Sequence, residues 1–476
     1  MITFSNKEVY MQKGLIFLGV MALSSNSFAV TLNEYLSEVR KENLAFKSSE
    51  AKVESATLLA NEASLITSPS FFLQAQSMFD TKLGTPPMSM YSKYQNDSIV
   101  AGISQQFSFG LQTKLSYSAV KNSYKGSDFS TPKYWDFSPN VELVMPVWGN
   151  GFGSTVKAQE TLTKAQNDVE RLAELATLQG LLVEAEMTYW QLAANQERVK
   201  IQEEALSSAK KIYQYVLSQK NKNLGESADV LQANALVEAY TLQLQQAKNE
   251  KQRLERAFNK FMNKEVGTKV EDLEKISYSE LESFPIPEKR PGVKYDVLIQ
   301  KTQTTLADAS SVVTEERNKP RLDLMGGYSL QGRGVDASKA LDNSTSTKYD
   351  SGYVGVMFTV PLNFSASDDA RFGARKMKEA AKLKYQHAEF NQEEEWGDLK
   401  EKMSESRTSL KLARSMENAQ KAKLENERIR LRQGRATTYQ VLLFEQDYSQ
   451  AQVSRVMTAT ELLSLKTQLK LYHGEK

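Results

Sequence analysis

The sequence has 476 residues, of which 40% are hydrophobic and 25% are charged, with no Cys and only two His. The 60 Lys and Arg side chains nearly balance the 58 Asp and Glu side chains, so there is no global basic field to recruit nucleic acid. The lack of Cys excludes disulfides, thiolate metal sites and thiol nucleophiles, and two His leave little basis for a zinc enzyme. No apolar run reaches the roughly 18–20 residues of a spanning helix, which excludes a helical membrane protein.

The first residues, 1–29, predict a secretory signal peptide. A basic residue precedes an apolar stretch at 15–23, and a small-residue cleavage site ends at Ala29. The stretch is too short to span a bilayer, so we expect it to be removed. A signal peptide that begins at Met11 would have a basic residue near its start, so Met11 is an alternative initiator to Met1. The alternative interpretation of the whole segment is a buried N-terminal helix.

The rest of the chain contains an internal repeat. In each half a helical stretch ends at a proline, Pro69 or Pro320, which opens a strand-like run. Strands, a very long helix and a shorter helix follow in both halves. The predicted segments are the signal peptide (1–29), a first helix (30–69), first-half strands and loops (70–148), a first long helical hairpin (149–262), an equatorial linker (263–292), a second helix (293–319), second-half strands and a loop (320–364) and a second long helical hairpin (365–476).

The long helical segments, at about 154–222 and 367–433, each extend to about 100 Å at 1.5 Å per residue. A Gly-containing turn and a shorter helix follow each one, at about 227–262 and 437–472. The apolar residues of the first shorter helix keep a 3-4 spacing, with small residues sharing the seam, which predicts coiled coils rather than a thick globular core. These seam residues are Ala233, Leu236, Tyr240, Ala247, Leu254, Ala257 and Phe261.

The strand-like segments have one apolar and one wet face. Apolar residues occupy alternate positions from Ile99 to Ala119, which predicts one extended segment with a bend at Gly110. Aromatic residues collect at strand ends, and the stretch from Trp135 to Trp148, tilted by about 40°, covers roughly 30 Å, the thickness of a hydrocarbon layer. A soluble antiparallel sheet is the alternative, but no remaining segment has an apolar face to cover it.

Such strands can cross a bilayer only if they close into a barrel, because every backbone donor and acceptor must be paired within protein. About two strands per half cannot close a barrel, since about eight are needed, so several copies must share one. The polar links at 80–97, 122–133 and 331–350 are typical of outward-facing loops. Between its bounding prolines the first half has 36 more residues than the second. They could form a hairpin outside the membrane or two further barrel strands.

The repeated motifs resemble the TolC family of outer-membrane efflux and secretion proteins over essentially the whole mature sequence. The motifs are the opening Leu32-Asn33-Glu34-Tyr35-Leu36, the returns Pro146-Val147-Trp148-Gly149-Asn150-Gly151 and Pro361-Leu362-Asn363-Phe364, and two tips. The tips, at 224–233 and 433–442, are Leu-Gly-Glu-Ser-Ala-Asp-Val-Leu-Gln-Ala and Gln-Gly-Arg-Ala-Thr-Thr-Tyr-Gln-Val-Leu. Each motif is weak alone, but their duplication in order is specific.

The resemblance implies a mixed α and β membrane protein in which long antiparallel coiled-coil helices form an α-helical barrel in the periplasm. A homotrimer would share one transmembrane antiparallel β-barrel in the lipid of the outer membrane. The function implied is the exit duct of a tripartite efflux pump or a type I secretion system. The partners would be a periplasmic adaptor (a membrane fusion protein) and an inner-membrane transporter or secretion ATPase, with no cofactor and no nucleic acid. The tip residues implied for adaptor docking are Leu224, Gly225, Asp229, Gly434, Arg435 and Thr438.

The tip residues also have a purely structural interpretation. A helix ends most easily with glycine in the left-handed conformation, which suits Gly225 and Gly434. Asp229, Ser227 and the pair Thr437-Thr438 suit N-terminal capping. Helix-hairpin geometry alone would therefore explain them as well as docking does.

Two features depart from the family pattern. Family members often place acidic residues just beyond the second tip, where they form a ring that closes the pore, but the matching positions here are Gln440 and Leu443. The constriction would then fall to Tyr439, Gln440, Leu443 and Phe444. The first tip is also about two residues shorter than the common pattern, which bears on adaptor fit.

Two rival functions remain. An enzyme has little to use, since His387 and His473 have no neighbouring nucleophile in sequence and the run 393–395 of three Glu points in different directions on a helix. A periplasmic coiled-coil spacer or adhesin without a pore would explain the helices and the signal, but not the amphipathic strands. The cargo cannot be predicted, because drugs, metals, metabolites and polypeptides all suit such a duct.

Overall fold

A computed structural model describes residues 29–81, 91–127 and 129–472 of the chain. The predicted signal peptide, apart from Ala29, and His473 lie outside the described residues. The helices are α1 (Leu32–Glu42), α2 (Leu44–Leu59), α3 (Ser154–Asn221), α4 (Ser227–Phe261), α5 (Tyr278–Ser283), α6 (Tyr295–Arg317), α7 (Ala337–Asn343), α8 (Phe364–Arg432) and α9 (Thr438–Gln468).

Two very long helices set the dimensions of the protein. α3 has 68 residues and α8 has 69, so each extends for about 100 Å at the α-helical rise. α3 packs along α4, α8 packs along α9, and α6 lies against both long helices. Within 29–81, 91–127 and 129–472, no helix combines the length and the apolar character that crossing a bilayer requires.

Asn43 divides the first predicted helical stretch. Its backbone is extended (φ −70°, ψ 118°), and its side-chain oxygen accepts a hydrogen bond from the Phe46 N–H at 2.9 Å. Asn43 therefore ends α1 and caps α2, as asparagine does readily because its short amide competes for backbone donors. The expectation of one helix within 30–69 is corrected to two α-helices followed by a 3-10 segment at Ala60–Ile66.

The thickest part of the core lies where the polar segment after α4 meets the helices. Tyr35 of α1 stacks on Phe258 of α4 with 4.0 Å between the ring centroids, and Tyr189 and Leu192 of α3 complete the cluster. The parallel bridge between Val30 and Leu273 ties the start of the described chain to this point. Nearer the first tip the α3–α4 seam is thin, with small buried residues such as Ala205, Ala209 and Ala233. The helical hairpins are thus anchored at mid-length and packed shallowly beyond it.

The strands form one antiparallel sheet. They are β1 (Ser70–Asp80), β2 (Lys93–Gln106), β3 (Gln112–Lys125), β4 (Lys133–Trp148), β5 (Arg321–Leu330), β6 (Gly332–Gly334) and β7 (Asp350–Thr359). Their order is β1-β2-β3-β4-β5-β7, with the short β6 beside β4. In the described chain β1 and β7 therefore each have one edge without a strand partner.

The predicted single segment from Ile99 to Ala119 is wrong: it folds as the paired strands β2 and β3. A turn at 107–111 joins them, with Gly110 at φ +95° and the Phe107 N–H bonded to the Leu111 carbonyl at 2.8 Å. Ile103 pairs with Leu115 and Ile99 with Ala119, so odd-numbered residues meet odd-numbered residues. The alternation therefore continues through the turn without a change of face, which is why the pattern resembles one long strand.

The two faces of the sheet differ in chemistry. One face carries apolar rows, such as Phe71, Ile103, Leu115, Val141 and Tyr328, which occupy directly paired positions. The opposite face carries Ser, Asn, Lys and Glu side chains. No described helix covers the apolar rows at the edges, where Phe71 is 71% exposed and Val354 is 92% exposed. The sheet thus presents to its surroundings the side chains that a soluble protein would bury.

The sequence-predicted polar links are partly regular structure. β2 already begins at Lys93 and β3 extends to Lys125, while β6 and α7 lie within 331–350. α7 packs closely over β6, because a Cβ on Gly332 would lie 2.2 Å from the Ala340 carbonyl oxygen. Tyr117 on the sheet also shares a hydrogen bond with Ser344 at 2.8 Å. This insertion is therefore folded against one end of the sheet.

The return from β4 to α3 explains the motif at 146–151. A bulge between Pro146 and Trp148 moves Trp148 onto the apolar face, where it stacks on Phe358 at 6.4 Å. Asn150 is left-handed (φ 73°); its N–H bonds to the Glu316 carboxylate of α6 at 2.8 Å, and its side chain accepts from the Thr155 N–H. These hydrogen bonds join the return from the sheet to both α6 and α3.

Candidate functional site at the helical tips

The first tip, between α3 and α4, ends its helix with an asparagine. Asn223 has φ 59°, its N–H bonds to the Lys220 carbonyl, and the Leu224 N–H bonds back to the Gln219 carbonyl, both at 2.9 Å. This is the Schellman arrangement, in which the left-handed residue lets two terminal carbonyls be satisfied. The expectation that Gly225 takes the left-handed conformation is corrected, since Asn223 takes it. Asparagine tolerates it because its side chain is short and polar.

The second tip, between α8 and α9, uses glycine as predicted. Gly434 has φ 70°, and the Arg435 N–H bonds to the Arg430 carbonyl at 2.8 Å. α9 then begins with a capping box between Thr437 and Gln440. The Gln440 N–H bonds to the Thr437 hydroxyl at 3.3 Å, and the Gln440 side chain accepts from the Thr437 N–H at 3.2 Å.

The start of α4 lacks this reciprocal cap. Glu226 is the cap residue and makes no side-chain cap hydrogen bond. Asp229 lies in the first turn, where its negative charge interacts favourably with the positive end of the helix dipole. Ser227 is the first helical residue rather than the cap. The two tips thus differ in how firmly their second helix is started.

The residues implied for docking lie on the surface of both tips. Leu224 is 74% exposed at the first tip. Arg435, at the corresponding position of the second tip, is also exposed. Gly225, Asp229 and Thr438 are half-buried. An exposed leucine at the end of a hairpin is available for contact with another protein. The docking role stays a prediction.

The residues expected at a constriction are placed unequally. Tyr439 and Leu443 are exposed on the first turns of α9. Gln440 is exposed as well, but its side chain is used by the capping box. Phe444 is half-buried, with the Lys423 Nζ 3.6 Å from its ring centroid. The constriction also stays a prediction.

An ion pair with a buried carboxylate lies behind the second tip and is missing from the sequence-based prediction. Glu445 of α9 is 5% exposed and accepts from Arg428 Nε of α8 at 2.8 Å. Arg428 Nη2 also bonds to this carboxylate, and Ser208 of α3 donates to the same oxygen at 2.8 Å. Seventeen residues separate Arg428 from Glu445, a spacing with no helical periodicity, so the sequence carries no local signal for the pair. The arrangement joins the second hairpin to the first.

The pair also shows how far each tip extends. Along the helix axes, Ser208 lies about 20 Å before the end of α3, and Glu445 lies about 10 Å after the start of α9. The first tip therefore projects about 10 Å further than the second. A groove lined by Lys211, Tyr215, Arg428 and Arg432 follows the junction of the two hairpins. The lining also includes Glu204, two serines and three aliphatic side chains, so its character is mixed.

A second, half-buried network lies at mid-length. Arg455 of α9 pairs with Glu197 of α3 at 2.9 Å and with Glu417 of α8 at 2.6 Å, and it stacks over the Tyr278 ring. The Tyr278 hydroxyl donates to Glu197 at 2.6 Å. Burial raises the pKa of the Tyr278 phenol, with the neighbouring Glu197 carboxylate adding to the effect, so the phenol stays protonated as a donor. The network holds three helices and the linker together.

The described ranges contain no cluster of metal-ligating side chains: they hold no group of three or more His, Asp or Glu side chains placed to ligate a metal ion. His387 is exposed, with its Nε2 3.2 Å from the Asn391 amide nitrogen. Of the Glu run at 393–395, Glu393 pairs with Arg290 at 3.7 Å and Glu395 with Lys294 at 2.5 Å. These contacts suit a charged surface that holds α6 and the linker to α8.

Comparison with known proteins identifies the fold. No protein-family profile and no curated protein sequence matches the chain. Among solved structures, the outer-membrane channel OprN is 16% identical, with a TM-score of 0.65 over 93% of this chain and 90% of that one. VceC, an outer membrane protein of Vibrio cholerae, is 14% identical, with a TM-score of 0.64 over 94% of this chain and 97% of that one. The CmeC outer membrane channel of Campylobacter jejuni is 16% identical, with a TM-score of 0.61 over 98% of this chain and 94% of that one. The chain therefore has the fold of TolC-family channels, as its sequence resemblance implied.

Proposed function

We propose that the protein is an outer-membrane channel that acts as the exit duct of a tripartite efflux pump or a type I secretion system. One observation carries the proposal. Away from the end where the α7 insertion contacts Tyr117, the sheet leaves its apolar face uncovered, and both of its edges lack a strand partner in the described chain. An apolar face of this size suits lipid, and an open edge in lipid would leave backbone groups unsatisfied.

Closure of the sheet requires further copies of the chain. β1 and β7 run in opposite directions, so the β1 edge of one copy can pair antiparallel with the β7 edge of the next. Repetition of this contact around an axis gives a closed ring. A homotrimer is the assembly that the fold supports. The long helices would then extend about 100 Å from the barrel as a periplasmic conduit.

The two tips would bind the periplasmic adaptor and, through it, an inner-membrane transporter or secretion ATPase. Support comes from the exposed Leu224 and from the stagger of about 10 Å between the tips, which gives a docking partner a shaped end. Tyr439 and Leu443, both exposed on the first turns of α9, would narrow the pore in place of an acidic ring.

A coiled-coil spacer or adhesin without a pore is the competing function. It would use the helices equally well, but it gives no role to an uncovered apolar sheet with a polar opposite face. The two functions differ in a simple property, since a spacer is soluble after export and a channel partitions with membrane.

Membrane fractionation followed by native mass spectrometry tests the proposal. We expect the mature chain in the outer-membrane fraction, released only by detergent, with a mass of three copies and with ion conductance in planar bilayers. A second bilayer measurement uses a Tyr439→Ala, Leu443→Ala variant. If a constriction at the tip blocks conductance in the wild type, this variant should conduct ions. A monodisperse monomer in detergent-free buffer would overturn the proposal.

A further inference from the structure

The β2–β3 hairpin decides how many strands each copy brings to a barrel. The sequence-based expectation is about two strands per half, and it leaves the 36 extra residues of the first half as either a hairpin outside the membrane or two further barrel strands. In the structure β2 pairs with β1 over its length from Tyr94 to Ser104, and β3 pairs with β4 from Gln112 to Ser123. The hairpin is thus an integral part of the sheet, with β1 on one side and β4 on the other.

The faces of the hairpin match those of its neighbours. Ile99, Ala101 and Ile103 of β2, and Leu115 and Tyr117 of β3, continue the apolar rows of β1 and β4. The opposite face is mostly small and polar, with Ser98, Ser104, Ser116 and Ser118. A hairpin outside the membrane would have no reason to continue the apolar rows in register.

We propose that each copy contributes six strands to the barrel, namely β1, β2, β3, β4, β5 and β7, so that a closed trimer has 18 strands instead of 12. The inference rests on the proposed function, because it assumes that the sheet crosses a membrane and that three copies close it. Six is an even number, so the edge strands β1 and β7 still run in opposite directions and identical copies can join edge to edge. The edges also match in length, with 11 residues in β1 and 10 in β7.

The extra strands widen the barrel. Its circumference is the number of strands times their spacing of about 4.8 Å, divided by the cosine of a tilt of about 40°. This gives a diameter of about 36 Å between backbones for 18 strands and about 24 Å for 12. Barrels of 16–18 strands enclose an aqueous channel. The outer-membrane end would then be the wide part of the duct, and the narrow part would lie at the helical tips.

Site-directed spin labelling tests the inference in the detergent-purified oligomer reconstituted in phospholipid vesicles. The chain has no Cys, so single-Cys variants need no further changes. Ala101→Cys probes the apolar face of β2, and Ser118→Cys probes the polar face of β3. Val356→Cys and Ser351→Cys on β7 are matched controls, because β7 belongs to the barrel whether four or six strands are counted.

We expect the labels at 101 and 356 to be relaxed more strongly by oxygen than by a water-soluble nickel chelate, and those at 118 and 351 to show the reverse order. Exposure of both 101 and 118 to the chelate, with 356 still in lipid, would overturn the six-strand barrel and leave the channel intact. Exposure of 356 to the chelate would instead overturn the proposed function.

Electron cryomicroscopy of the same oligomer counts the strands directly, and the count expected is 18. A variant without residues 93–125 removes β2 and β3 and leaves β1 beside β4. Phe71 and Val141 lie in one row of the apolar face, which runs through Ile103 and Leu115. Direct pairing of β1 with β4 therefore keeps the apolar residues of both strands on the same face. Its barrel should show 12 strands. A 12-stranded wild-type barrel would overturn the inference even if the excised variant fails to assemble.

Discussion

Arg428 of α8 forms an ion pair with the buried carboxylate of Glu445 of α9, and Ser208 of α3 donates to the same carboxylate oxygen. The carboxylate is almost fully enclosed, whereas the arginine is partly exposed. A carboxylate in this position depends on its partners, because burial of an unpaired charge is costly. The pair is therefore the point at which the two hairpins are fastened near their tips.

Loss of Arg428 should loosen the second tip. We expect Arg428→Met to lower the local opening free energy of α9 by about 2–3 kcal/mol, less than for a fully buried pair because water screens the arginine. Hydrogen exchange of the amides at 438–449 measures it. Lys402→Met is the matched control, since Lys402 and Asp398 are both exposed and should contribute less than about 0.5 kcal/mol. The double variant Arg428→Met, Glu445→Met should recover part of the loss. Equal effects at 402 and 428 would contradict the structural role.

The capping box should stabilise the first turn of α9 more than the uncapped N-terminus stabilises the first turn of α4. We expect Thr437→Ala to destabilise the first turn of α9 by about 1 kcal/mol, because the Gln440 N–H loses its acceptor. Ser227→Ala is the control, since α4 begins without a side-chain cap hydrogen bond. Hydrogen exchange of the two first turns compares them within one protein. A larger effect at Ser227 would show that the caps are assigned the wrong way round.

The left-handed residues of the two tips should be interchangeable. Gly434→Ala should cost about 1–2 kcal/mol of local stability, because a Cβ at φ 70° crowds the following carbonyl. Gly434→Asn should cost less than Gly434→Ala, since Asn223 holds the same conformation at φ 59° in the other hairpin. Thermal denaturation followed by circular dichroism orders the three proteins. An alanine variant as stable as the wild type would mean that the tip takes another conformation in solution.

Adjacent residues of β4 should respond oppositely to a charge. Val141 lies on the apolar face, and Asn140 lies on the polar face beside it. If lipid covers the apolar face, Val141→Lys should cost up to about 2–4 kcal/mol and reduce the assembled oligomer in outer membranes. Asn140→Lys should assemble normally. Quantitative blotting of unheated membrane samples gives the yield of oligomer. Reduced assembly of both variants alike would argue for a sheet that is buried on both faces.

Much of the architecture is encoded in local patterns. The proline-bounded strands, the long helices and the Gly434 turn follow from periodicity and from residues with narrow conformational preferences. The sequence-based prediction missed the break between α1 and α2 at Asn43 and the left-handed conformation of Asn223. Asparagine is compatible with several local conformations, and its neighbours decide among them.

The candidate site was predicted less completely than the fold. The tip sequences located the hairpin ends, but the Arg428–Glu445–Ser208 contact depends on packing between segments that are 220 residues apart. The Arg455 network likewise joins α9 to α3, α8 and the linker. No periodicity within one helix reports such contacts, so they require the tertiary arrangement.

The odd-to-odd pairing across the turn at 107–111 has an evolutionary consequence. A gene segment that encodes one such hairpin can be gained or lost without inverting any downstream side chain, because the pairing parity on either side is the same. In the proposed barrel, the girth of the pore would thus change in steps of two strands per subunit while the helices keep their own geometry. A lineage of such channels could diversify its exit without redesigning its helical end.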